Sequence, residues 1–194
     1  MAQFIAFVRG VEVSGEAVFS IIDGMGAFRS RALKILSTNG IPEPEPGQWY
    51  SQQAWLDSFK TISETVGAVT LAVIGRKIPE NAHFPPDIDN IEKALESIDV
   101  AYHMNHRLAG EVLFNPRTGE MKEGIGHYGY EKIGEKKVRM ICNNPYPCDF
   151  DRGIIEAMAQ RFKPAACLFV KVAHDDSAPC RKKDADRCTY YIQW

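Results

Sequence analysis

The apolar positions of this chain change period near residue 105, and that change limits the fold more than any other feature. Before it, Trp49, Trp55, Phe59, Ile62 and Val66 recur mostly at three- and four-residue steps, the mark of one helix face. Ile88, Ile91, Leu95, Ile98 and Tyr102 repeat the pattern in a helix beginning at about Asp87. Ser14 caps an earlier helix, another spans about Phe28 to Ser37 and stops at Asn39-Gly40, and a further one runs from Ala68 to Ile78. After residue 105, turn-bounded runs take over. Glu111 to Phe114 opens a hairpin through Pro116 to Gly119; Gly126 to Ile133, Lys137 to Cys142, Ala166 to Val172 and Thr189 to Trp194 read as strands. One helix, Cys148 to Phe162, is set among them. Helices segregated from hairpin-connected strands predict an α+β fold, with a mainly antiparallel sheet, helices packed on one face and a preceding N-terminal helical region. The expected division is 1–86 for that helical region, as part of the same fold, and 87–194 for the α+β domain.

Composition narrows the function classes. With 45% hydrophobic and 25% charged residues the chain can bury a core and is not a disordered one. Its longest nearly unbroken apolar stretch, Val66 to Ile74, is far below the roughly 20 residues that span a bilayer. Met1 to Gly10 lacks a basic segment and a long apolar segment, so no export signal is read and a cytoplasmic chain with no membrane partner is expected. A net charge of −2 argues against a nucleic-acid partner. Five cysteines, all in the last third, suit reduced thiols or a metal site better than a disulfide scaffold.

Three groups of residues carry chemical interest. Cys180 and Cys188 close a loop between two strands, and Cys148 heads a helix, where the positive helix end favours a thiolate. Thiolates brought together in this way prefer zinc, with Cys142, His174 or a carboxylate as the fourth ligand. Cys148 beside His174 or His127 would also serve as a nucleophile with its base, although nothing in the spacing requires it. His103 and His106 share a face if helical, as a metal pair or a hydrogen-bonded structural pair, and His127 is a polar contact in a pocket. Trp49, Trp55, Phe59, Tyr102, His106, Tyr128 and Tyr130 are candidates for the wall of an apolar ligand pocket, or for a dimer seam. No phosphate loop or dinucleotide fingerprint occurs. Ile41 to Gly47, with three prolines, reads as a stiff connector.

The run Pro147-Cys148-Asp149-Phe150-Asp151-Arg152-Gly153, together with Cys180-x7-Cys188 and a final strand ending in Trp194, resembles the 4-vinyl reductase or hydrocarbon-binding domain family over about residues 88–194. The resemblance implies an α+β sensor module and a zinc cofactor held by Cys148, Cys180 and Cys188. The function expected is a sensory or regulatory module binding an aromatic or other apolar small molecule. Its signal would pass to a separate signalling partner protein or across a homodimer. The alternatives are an enzyme acting on an aromatic or tetrapyrrole compound, with no catalytic residue assigned, and a purely structural interaction protein.

Overall fold

The structure, a computed structural model, describes residues 3–194; Met1 and Ala2, where the segment read for an export signal begins, lie outside the described residues. The described residues form six α-helices and ten strands, with most helices in the first half of the chain and most strands in the second. Strand β1 (Val11–Ser14) leads into α1 (Gly15–Met25), whose first turn is capped by the Ser14 hydroxyl accepting from Ala17 N. A 3-10 turn joins it to α2 (Arg29–Thr38). β2 (Trp49–Ser51) is followed by α3 (Gln52–Thr65), α4 (Ala68–Asn81) and α5 (Ile91–Met104). Short strands β3 (His106–Leu108), β4 (Glu111–Val112), β5 (Phe114–Asn115) and β6 (Glu120–Met121) come next. The long hairpin β7 (His127–Gly134) and β8 (Lys137–Asn143) precedes α6 (Cys148–Phe162), and β9 (Lys171–His174) and β10 (Cys188–Gln193) end the chain. No helix among the described residues is long and apolar enough to cross a membrane.

The architecture is α+β and antiparallel. One sheet has the order β7-β8-β10-β9; a second, smaller one has the order β2-β1-β3-β4 and carries the helical half. A single apolar core runs through both halves, from Val13 and Ile21 to Ile155 and Ile192. The halves are joined where α4 crosses α6. An added Cβ on Gly75 would lie 2.1 Å from the Phe150 carbonyl, and one on Gly153 would lie 2.2 Å from that of Ala72. Only residues without side chains let the two backbones approach so closely.

Several sequence expectations shift. Trp49 is not on the α3 face: it sits on β2, paired opposite Ser14, because Ser51 caps the helix two residues later. α4 continues through Pro79, whose carbonyl accepts from Arg161 at 2.6 Å, so the loop begins only beyond Asn81. α5 starts at Ile91, since Asn90 is the residue that caps it. Residues 166–170 leave the expected strand: Lys163 Nζ takes the carbonyls of Cys167 and Leu168 at 2.5 and 3.1 Å, and pairing resumes at Lys171.

Candidate functional site

The face that α3 turns inward carries Gln52, Trp55 and Phe59, one helical turn apart in succession. It meets Tyr102 from α5, His106 from β3, Tyr146 from the turn after β8, and Phe150 from α6. Ring centroids are 4.8 Å apart for Trp55–Phe59, 5.1 Å for Trp55–Tyr146, 4.7 Å for Phe59–Phe150 and 4.6 Å for Tyr102–His106. Tyr128 joins through Tyr102 at 5.3 Å. The helical half and the main sheet touch along this aromatic seam.

Its hydrogen bonds fix the protons. His106 Nδ1 can only donate to the Tyr102 carbonyl, at 2.7 Å, so its Nε2 is an acceptor and takes the Tyr146 hydroxyl at 2.6 Å. That hydroxyl accepts in turn from Gln52 Nε2 at 3.1 Å. Burial pulls the His106 pKa down to about 4, so the ring is neutral. Two atoms of the seam have no partner: Trp55 Nε1 and Gln52 Oε1.

Beneath the seam lies a buried ion pair. Arg181 donates to Asp151 and to the side chain and carbonyl of Asn144; Tyr128 Oη donates to Asp151 at 2.6 Å. Both charged side chains are essentially without solvent contact. Burial pushes the Asp151 pKa up to about 6, although Arg181 and Tyr128 pull against it.

Next to it, Cys148, Cys180 and Cys188 converge. Their sulfurs are 2.8 Å apart for Cys148–Cys188, 3.6 Å for Cys148–Cys180 and 3.8 Å for Cys180–Cys188. With His174 their ligand atoms all lie within 4.8 Å of one another. His174 Nδ1 bonds Asp176 at 2.9 Å and its Nε2 is buried without a partner. The neighbouring Cys148 thiol, and then Arg181, pull the Cys188 pKa down, while Cys148 is pushed up by the Cys188 sulfur and by burial. Cys142 faces Cys188 across the β8–β10 ladder but is outside this group of four, and Cys167 lies in the loop after α6 instead of opening a core strand.

Of the seven residues expected to line a pocket, the structure brings Trp55, Phe59, Tyr102, His106 and Tyr128 together. Trp49 lies on the small sheet, with the Arg107 guanidinium 4.8 Å from its ring centroid, and Tyr130 is half-buried on β7. Tyr146, Phe150, Gln52 and Arg181 are not among the residues that the sequence singles out for a pocket. Of these, Tyr146 carries a local signal, since it stands between two prolines ahead of a helix.

No family model matches this chain, and no curated protein matches it. Solved structures do. An H-NOX protein from S. oneidensis in its Fe(II)NO ligation state superimposes with a TM-score of 0.65 at 13% identity, covering 93% of this chain and 98% of that one. The fold is that of the H-NOX domains. An oxygen-binding H-NOX domain related to soluble guanylate cyclases gives 0.61 at 14%, over 93% and 94% of the two chains. A variant of the T. Tengcongensis H-NOX gives 0.62 at 14%, over 93% and 96%.

These likenesses overturn the resemblance to the 4-vinyl reductase family. Three cysteines and a helix start constrain one corner of a fold, whereas the H-NOX superposition spans nearly the whole chain. The expectation of zinc as the cofactor falls with it, because the neighbours are described by heme and its iron.

A heme needs a flat slot and an axial ligand atom. His106 offers none, since both its nitrogens are bonded. His103 has a free, buried Nε2, but its ring is packed 5.2 Å from Tyr102 and 5.1 Å from His127. The seam itself is filled by rings in mutual contact. A groove of about 670 Å³ runs beside Arg76, Glu156 and Val172, and a cavity of about 400 Å³ lies over the cysteines; neither is lined by His103 or His106. The residues present do not fit a heme.

Proposed function

We propose that this chain is a small-molecule sensory or regulatory module whose ligand enters the aromatic seam between the helical half and the main sheet. The observation that carries this reading is the orphaned pair in the seam, Trp55 Nε1 and Gln52 Oε1. An unmet buried polar group costs about 1–3 kcal/mol, and native interiors rarely tolerate one. The two residues are one turn apart on α3, so one compact ligand with an apolar or aromatic body can offer an acceptor to the indole and a donor to the amide. Rings now fill the seam, so entry displaces Trp55 or Tyr146. Because Tyr146 is bonded to Gln52 on α3 and to His106 on β3, its displacement reaches the surface of the helical half. There a partner protein or a second copy of the chain reads it. The ligation states named for the neighbours support a sensory use of the fold.

The test is a thermal-shift screen with chemically varied aromatic and apolar compounds, since a ligand bound only to the native state raises Tm. A rise for some compounds, lost in Trp55→Phe, is expected. A varied set that moves Tm nowhere overturns the reading.

A second reading rests on the sulfur distances. Cys148, Cys180 and Cys188, with His174 Nε2 as the fourth ligand, hold a metal ion in a closed, structural site that ties the loop ahead of β10 to the start of α6. Such a site leaves no position for substrate. Elemental analysis of the purified chain should give about one metal ion per chain, lost in Cys180→Ser together with thermal stability; metal-free protein of unchanged stability would count against it.

A further inference from the structure

A trough lies between α6 and the edge of the main sheet. β9 is the last strand in the order β7-β8-β10-β9, and among the described residues no strand pairs with its other edge. Asp175 N donates to the Thr189 carbonyl at 2.8 Å, so in the antiparallel ladder Ala173 and Lys171 turn their backbone groups toward β10. Val172 and His174 therefore point their N–H and C=O groups outward. Along that edge lie the groove of about 670 Å³ and the cavity of about 400 Å³, and Val172 lines both. α6 supplies the facing wall through Asp149, Arg152, Glu156 and Gln160. From Asp149 to Gln160 that wall is about 17 Å long at about 1.5 Å per residue, which roughly five residues of extended chain span. Val170 and Val172 pack partly on the core and line the groove. Leu168 and Phe169, just ahead of them, stand in water, 87% and 76% exposed.

The charge left over beside the trough is positive. Glu156 is taken by Arg76 at 2.6 Å, Glu80 by Lys77 at 2.5 Å and Asp149 by Lys182 at 2.7 Å. From residue 161 to 171 the chain carries Arg161, Lys163 and Lys171 and no acidic residue. Arg161 and Lys163 bond backbone carbonyls, and none of the three has a carboxylate partner among the described residues. We propose that this trough binds an extended segment of a partner protein in which acidic and apolar residues alternate, and that the segment adds to the sheet as a strand outside β9. The outward backbone groups of Val172 and His174 hold such a strand, and the side chains around it select the sequence. Val172 lies on one face of β9 and Lys171 on the other, so a paired segment sets apolar residues against the first face and acidic ones against the second. A short edge strand bearing a lysine is a usual guard against aggregation, but that guard does not account for Leu168 and Phe169 in water. A bilayer would leave the outward N–H and C=O groups unmet. A second copy of β9 is a poorer occupant: the chain turns after His174, where Ala178 N donates to the Asp175 carbonyl at 3.3 Å, so it would not reach across Leu168 and Phe169. The trough is separate from the aromatic seam and does not depend on a ligand there.

The experiment is a selection of short random peptides, displayed on phage, against the full chain, followed by fluorescence anisotropy of the enriched sequences. Those sequences are expected to alternate acidic and apolar residues. Lys171→Glu, and separately Leu168→Glu with Phe169→Glu, should each weaken their binding at least about tenfold. All three positions are exposed, so circular dichroism should stay unchanged. Methylating backbone nitrogens of the peptide at alternate positions should abolish binding in one phase and spare it in the other, since only every second N–H of an added strand faces β9. No enriched peptide, enriched peptides without acidic residues, binding that either substituted chain keeps, or equal tolerance of methylation at every position overturns the proposal. Self-association of the chain that Lys171→Glu abolishes would assign the edge to a second copy. Binding to vesicles of anionic phospholipid that Leu168→Glu with Phe169→Glu abolishes would assign it to a membrane. Either result overturns the proposal as well.

Discussion

His106 and Asp151 are both buried and titrate in opposite senses. The His106 pKa falls from 6.5 to about 4, so the native state binds its proton more weakly than the unfolded chain. Its contribution to stability is complete above about 6.5 and is lost as pH falls toward 4. The Asp151 pKa rises from 3.8 to about 6, so its contribution is complete below about 3.8 and is lost as pH rises toward 6. Each shift is worth on the order of 3 kcal/mol, and the two oppose each other between about pH 4 and 6. Urea denaturation of the unsubstituted chain and of His106→Gln should therefore show a stability difference that grows in favour of the former as pH rises from about 4 to 6.5. A constant difference would mean that the neutral, Tyr146-accepting imidazole is wrongly assigned. Arg181 gives a second prediction. Asp151→Leu alone leaves a buried guanidinium unpaired and should cost about 3–5 kcal/mol, whereas Asp151→Leu with Arg181→Met should cost clearly less, as measured by the same unfolding curves.

At the scale of elements, the crossing of α4 and α6 is the most demanding contact. A Cβ at position 75 or 153 lies about 2 Å from a backbone carbonyl of the other helix, which no rotamer relieves. Gly75→Ala and Gly153→Ala should each lower stability by about 1–3 kcal/mol as the helices are forced apart, despite the roughly 1 kcal/mol that alanine gains in helix propensity. A Tm unchanged or raised in either variant would show that the crossing is looser than it looks. The α6 helix itself was legible to the residue, Cys148 to Phe162, because Pro147 and Lys163-Pro164 bound it on either side. β7 and β8 were legible within a residue or two from their Gly134-Glu135 turn. The small sheet β2-β1-β3-β4 was not. Its strands are two to four residues long, and periodicity cannot distinguish so short a run from a loop.

For the whole molecule, the helical half leaves Phe28 and Val69 exposed, at 64% and 77%. Large apolar side chains in water favour a covered surface. A homodimer with its seam in the helical half is expected, since two-fold pairs are the commonest oligomer. Sedimentation at tens of micromolar should show it, and Val69→Glu should shift the population toward monomer; a monomeric unsubstituted chain would exclude that seam.

What the sequence by itself determined was local: the helix faces, their caps, the long hairpin, the α+β class and the cluster of thiols around a loop. Each of these depends on neighbours a few residues apart, where side-chain period and capping chemistry act directly. The tertiary structure decided the rest. It set Arg181 against Asp151, His106 against Tyr146, and His127 beside His103, pairs separated by 24 to 40 positions in the chain or set on different elements. It also closed the aromatic rings on one another where an open pocket was expected. Those outcomes follow from how helices and sheets pack, and packing depends on the summed shape of surfaces that no short window of sequence contains.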